Sequence, residues 1–204
     1  MLKRTLILTT LLTLGLGSMG AFSTAQDTPT PSESAAKSFK VDTVHSTAIF
    51  RVHHRGAGRF YGRFNDVTGL IEYTPGSKHG LLLNISIDIN SVDTGNEQLD
   101  NHLKSMDFFN AVEFPAMTFK SDEATLIKPG FYQVKGIISM HGVSHPLTIE
   151  LEETGLASGR RGELVGFETV FTLKRSLFDM NYGVEQGALG DDVRVIVSME
   201  AIAQ

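Results

Sequence analysis

The chain has 204 residues, 41% of them hydrophobic, a formal net charge of −5, no cysteine and no tryptophan. Without cysteine there can be no disulfide, no thiolate nucleophile and no cysteine-ligated zinc. A domain without such staples must be held by its own core, which at this length favours one sizeable domain over a mini-fold.

The first residues read as an export signal. Lys3 and Arg4 precede an apolar run from Leu6 to Leu16, and small residues then lead to Ser23-Thr24-Ala25. That pattern predicts a signal peptide over 1–25, cut after Ala25. The apolar run is short for a span of about 20 residues, so no stable membrane span is expected after cleavage. The mature chain is expected in the periplasm or secreted. Residues 26–38, "QDTPTPSESAAKS", bear almost no large apolar groups and read as a flexible leader. Residues 39–204 form the expected single domain. Loss of Lys3 and Arg4 leaves 16 Lys+Arg against 23 Asp+Glu, a net of −7. With no basic block along the chain, nucleic acid and anionic membrane surfaces are poor partners on this count.

From residue 39 the dominant period is two. Strands are predicted near 46–53 and 60–73, then most clearly in "LLLNISIDI", where Leu81, Leu83, Ile85, Ile87 and Ile89 share one face. One stretch breaks the rhythm. In "TGNEQLDNHLKSM", Leu99, Leu103 and Met106 recur at helical spacing, and Thr94 with Glu97 has capping-box spacing. Phe108, Phe109 and Phe114 follow. They either cover one end of a barrel or plug it as core. After Pro115 the alternation resumes at 116–122. It continues with Tyr132, Val134, Ile138 and Met140, with Leu147, Ile149 and Leu151, with Val165, Phe167, Phe171 and Leu173, and with Val193, Val195, Val197 and Met199. Turn clusters such as "TPGSKHG", "KPG" and "ASGRRGE" separate the strands. About eight antiparallel strands with short turns predict an all-β sandwich or closed barrel carrying one short inserted helix.

The histidines do not make a metal site on spacing. On one strand His45 and His53 share a face but lie roughly 26 Å apart, and His54 points the other way. His141 and His145 flank a turn with no carboxylate between them, and His102 stands alone on its helix. No zinc-binding spacing and no nucleophile elbow are present, so no catalytic residue, metal or cofactor is assigned.

The order of motifs resembles the YceI-like proteins, exported bacterial lipid-binding domains. The resemblance rests on Asp42-x-x-His45-Ser46 leading to Phe50-x-Val52, on Gly62-x-Phe64 and Gly69, and on Asp100-x-His102-Leu103, Asp107-Phe108-Phe109 and Pro115. It continues through "VKGIISMHGVSHPLTIEL", Arg175-Ser176-x-Phe178 and the closing "VRVIVSMEA", covering residues 39–202. It implies a lipocalin-like antiparallel barrel with an apolar interior that holds a polyisoprenoid or quinone-like lipid without catalysis; it also admits a homodimer. With the apolar faces inward, the candidate lining is Phe50, Phe64, Leu83, Ile85, Ile87, Phe108, Phe109, Phe114, Met117, Phe119, Val134, Ile138, Phe167 and Phe171. His45, Arg55 and Arg175 are the candidates for the polar head. The competing expectation is a barrel filled by its own side chains that binds partners through surface loops. The hairpin "VHHRGAGRFYGRF" departs from the family in its wealth of His and Arg, as does His145, and both leave the head group open.

Overall fold

In a computed structural model the described residues are 35–204. The expected signal segment and most of the expected leader lie outside them. The chain runs β1 (Lys37–Val41), β2 (Thr47–His54), β3 (Gly58–Phe64), β4 (Val67–Tyr73), β5 (Leu81–Asp88), β6 (Val92–Asp93), α1 (Glu97–Lys104), β7 (Ala116–Lys128), β8 (Phe131–Met140), β9 (Val143–Gly159), β10 (Gly162–Lys174) and β11 (Leu189–Ala203). β1 therefore begins at Lys37, inside the stretch read as leader.

Closure decides barrel over sandwich. Eight strands pair in the order β1-β4-β5-β7-β8-β9-β10-β11, and the last pairs back to β1 through Phe39↔Ala203 and Val41↔Ala201. Each pairing is antiparallel, so no strand of the ring has a free edge. The 15-residue β11 is longer than β1, and its Val193–Ser198 portion pairs with β2 instead. The β2–β3 hairpin thus extends the wall beyond β1, and β6 pairs with the far side of β3.

Three local expectations differ. The stretch 60–73 is two strands, because Asn65 and Asp66 turn outward to Ser91 and Asp88: Asn65 N–H donates to the Ser91 carbonyl and Asp88 N–H to that of Asp66. The helix is capped by Asn96, whose side chain accepts from Leu99 N–H, rather than by Thr94. Thr94 instead donates its N–H and hydroxyl to Asp100 Oδ1, at 2.8 and 2.6 Å. Met106 lies past the end of α1 and is 81% exposed, so the apolar stripe of the helix is Leu99 and Leu103.

A lined cavity above a packed plug

The interior has two storeys. In the lower one Phe39, Tyr73, Tyr132, Val134 and Phe167 are fully buried and fill the barrel. Tyr73 meets Phe167 edge-on at 5.2 Å and Tyr132 at 6.0 Å between ring centroids. Buried phenols need partners. The Tyr73 hydroxyl lies 3.3 Å from that of Tyr132 and donates to the Glu153 carboxylate. Burial first, then those two neighbours, push the Tyr73 pKa up, so it stays a neutral donor.

Above the plug lies a cavity of about 580 Å³. Its wall follows the register of the strands. Ile85 pairs with Phe119 and Phe119 with Ile138 on one side; Phe171 pairs with Val195 and Val195 with Phe50 on the other. Leu83, Ile87, Met117, Leu147, Ile149, Val193, Val197 and Met199 are among the other apolar lining residues, and the Thr169 hydroxyl is tied to the Glu150 carbonyl at 2.7 Å. A barrel filled throughout by its own side chains is therefore not what this chain forms.

The mouth is built from α1, the loop behind it and the 179–188 loop. Leu99, Leu103, Phe108 and Phe109 cap the opening, and the rings of His102, Phe108 and Tyr182 meet pairwise at 5.0–5.1 Å. Asp107 Oδ2 holds His102 Nε2 at 2.9 Å. Asp100, His102 and Asp107 thus fix the helix and its aromatic cap. His54 and Arg55, at the tip of the β2–β3 hairpin, also line the mouth, and Arg55 N–H donates to the Ala188 carbonyl.

Most candidate lining residues do face this cavity: Phe50, Phe64, Leu83, Ile85, Ile87, Phe108, Phe109, Met117, Phe119, Ile138 and Phe171, together with Arg55 and Arg175. Four do not. Val134 and Phe167 belong to the plug. Phe114 lies outside on the β8–β9 turn, its ring 5.2 Å from that of His141 and over Gly142. His45 sits in the turn joining β1 to β2, its Nδ1 3.2 Å from Asp42 and 3.7 Å from Glu200.

Arg175 differs in role. It is 5% exposed, and its guanidinium donates to the carbonyls of Met180, Tyr182, Leu189 and Gly190 at 2.7–3.3 Å. No carboxylate among the described residues pairs with it. Burial lowers its pKa, opposed by nearby Asp191, but an arginine remains charged at any ordinary pH. It staples the loop that frames the mouth.

Sequence reasoning missed the β11 lining and the contributions of Leu99, His102 and Tyr182. The β11 alternation was visible; the contact of Tyr182 with the helix carried no local signal. It also missed that Asp42, His45 and Glu200 converge, their ligand atoms all within 4.8 Å. Arg161 already bonds the same Asp42 Oδ2 that His45 approaches, and a second cation there would be repelled. Among the described residues no helix is long and apolar enough to cross a membrane.

Comparison with known proteins agrees with this geometry. The YceI-like domain model matches residues 39–201. A UPF0312 protein of Yersinia enterocolitica is 33% identical over 176 residues, covering 85% of this chain and 90% of that one. The Campylobacter jejuni YceI protein superposes with a TM-score of 0.64 at 32% identity, over 70% of this chain and 84% of that one. A polyisoprenoid binding domain from Saccharophagus degradans has a TM-score of 0.66 at 17% identity, over 81% and 98% of the two chains, a likeness of fold.

Proposed function

The chain belongs to the YceI-like domain family, and from that premise we propose that it is an exported, non-enzymatic carrier or reservoir for a long isoprenoid-type lipid. The observation that carries this reading is the cavity. An apolar space of about 580 Å³, opening past aromatic side chains, suits a slender hydrocarbon. A space of this size admits a chain of several isoprene units. A longer chain would emerge through the mouth. Each buried methylene-sized group contributes about 0.8 kcal/mol gross, against an association cost on the order of 4–15 kcal/mol, so a long chain is held and a short one is not.

The Saccharophagus relative described as polyisoprenoid binding supports the class of lipid. The apolar run and the small residues ending at Ala25 support export to the periplasm or beyond. A binding role, rather than an enzymatic one, fits a lining in which Thr169 and Arg175 are tied to carbonyls and His102 to Asp107. We assign Arg55 as the side chain best placed to meet a head group emerging from the mouth, and α1 with its aromatic cap as the gate.

Organic extraction of the purified protein followed by mass spectrometry tests the proposal. A co-purifying isoprenoid, or uptake of added quinone or polyprenyl phosphate, is expected. Protein that carries no lipid and takes up neither probe would sink it.

A further inference from the structure

A row of arginines stands on the outside of the wall, next to the mouth. Arg51 on β2 pairs directly with Arg194 on β11 on one side and with Tyr61 on β3 on the other. Arg59 pairs with His53 one step nearer the tip, and Arg55 occupies the turn itself with φ 50°. Arg59, Arg194, Arg55 and His53 are exposed, Arg51 is half-buried, and Tyr61 is 54% exposed.

None of the guanidiniums of Arg51, Arg55, Arg59 and Arg194 has an ion pair or hydrogen bond among the described residues. Asp93 is engaged by Arg63 and Asp192 by Lys174, while the exposed Glu185 of the 179–188 loop has no ion pair among the described residues. Like charges placed directly opposite on neighbouring strands are destabilising. The Arg51–Arg194 pair is therefore held against a local penalty in a chain whose net charge is −5. That pattern asks for an external anion.

The position of the row says which anion. The hairpin tip is tied to the mouth by Arg55 N–H on Ala188, and the same loop meets the gate through Tyr182 and His102. In the loop that follows α1, Met106 is 81% exposed and Val112 97% exposed. Arginines and an exposed tyrosine beside the mouth of an apolar cavity match a lipid–water interface better than a folded acidic partner.

We propose that the outer face and tip of the β2–β3 hairpin dock the barrel on the surface of an anionic phospholipid bilayer, with the cavity mouth at the interface. Docking would bring the mouth to the place where an insoluble chain enters or leaves. It rests on the carrier reading for its purpose, but not for its physics. The whole-chain charge concealed it, because acidic residues elsewhere outnumber a local basic face.

Sedimentation of the mature protein with vesicles tests it. With phosphatidylglycerol mixed into phosphatidylcholine the protein is expected to partition to the vesicles, and with phosphatidylcholine alone to stay in solution. About 1 M NaCl, with a Debye length of about 3 Å, should release it. The triple substitution Arg51→Ser, Arg59→Ser, Arg194→Ser should lower the partition coefficient on the order of a hundredfold. That variant should melt no lower than wild type, because it relieves the Arg51–Arg194 repulsion, so lost docking would not be lost folding. Failure of wild type to bind the anionic vesicles, or wild-type partitioning by a folded triple variant, overturns the proposal. So does release by inorganic phosphate at constant ionic strength, which would mean a single-anion site. Mass spectrometry of lipid in the same preparation is read separately, so the docking and the carrier reading can each fail alone.

Discussion

The ring of Phe50 lies across the backbone of Gly62, so closely that a Cβ on Gly62 would stand 2.2 Å from Phe50 Cζ. The two are direct partners on β2 and β3, and Phe50 lines the cavity. The glycine at this position leaves the phenyl room to lie flat against the wall. Gly62→Ala should drive the ring inward, with overpacking that costs about 1–3 kcal/mol. Uptake of a long prenyl chain should fall several-fold, and Phe50→Leu on that background should restore it. Uptake unchanged in Gly62→Ala would mean that Phe50 does not bound the occupied space.

The two storeys should respond differently to truncation. Phe167 is fully buried in the plug, and Phe167→Ala should cost about 3–5 kcal/mol with or without lipid. Ile85 borders a space that already exists, so Ile85→Ala should cost less in delipidated protein. Its penalty should appear in the stabilisation that bound lipid adds. Urea unfolding of both variants, delipidated and loaded, checks this. Equal large losses for Ile85→Ala in both states would make it ordinary core.

Removal of the Arg175 guanidinium would leave four carbonyls without their donor. A buried polar group left unsatisfied costs about 1–3 kcal/mol. Arg175→Ala should therefore loosen residues 179–190, seen as faster amide exchange there. Phosphorylated and neutral prenyl chains should lose affinity alike. A loss confined to the phosphorylated chain would show instead that Arg175 reads the head group.

Acid stability should depend on several carboxylates whose pKa the fold lowers, Asp93 with Arg63 and Glu123 with Lys135 at the surface, and Asp42 and Asp191. The Val44 N–H, aided by His45 and Arg161, holds the Asp42 carboxyl below its usual range. Burial pushes Asp191 up, but the Ser176 N–H and hydroxyl and Lys174 outweigh it, and its pKa is also lowered. A carboxyl with a folded pKa below its unfolded value of about 3.9 contributes stability that is present above that value and lost as pH falls through the folded pKa. Wild type should thus lose urea resistance below about pH 4, and Asp42→Asn with Asp191→Asn should make that limb shallower. A double variant that parallels wild type at every pH would contradict the assignment.

The aromatic contact of His102, Phe108 and Tyr182 should set how fast lipid passes the mouth. Tyr182→Ala removes two of the three ring contacts, at a side chain that is 47% exposed. Lipid exchange between loaded protein and acceptor vesicles should quicken, with fold stability unchanged within about 0.5 kcal/mol. A disulfide-trapped α1 should slow the same exchange; unaltered rates in both would place the entrance elsewhere.

The direction of most strand side chains was legible in the sequence. A period of two is a property of the local backbone, so the inward sets on β5, β7 and β10 could be read without knowing any partner strand. Ordered motifs over residues 39–202 carried the family, and through it the closed barrel. Height along the barrel was not legible. Val134 and Ile138 lie on one face of β8, and Phe167 and Phe171 on one face of β10, yet the first of each pair is plug and the second is cavity wall. The difference comes from what stands across the barrel, Tyr73 and Phe39 below and α1 with its aromatics above, and those neighbours are far apart in the chain. The same holds for charge. Arg175 is satisfied by carbonyls from a loop, and Arg51 on β2 faces Arg194 on the last strand, because strand register rather than sequence proximity selects the partners of a polar group.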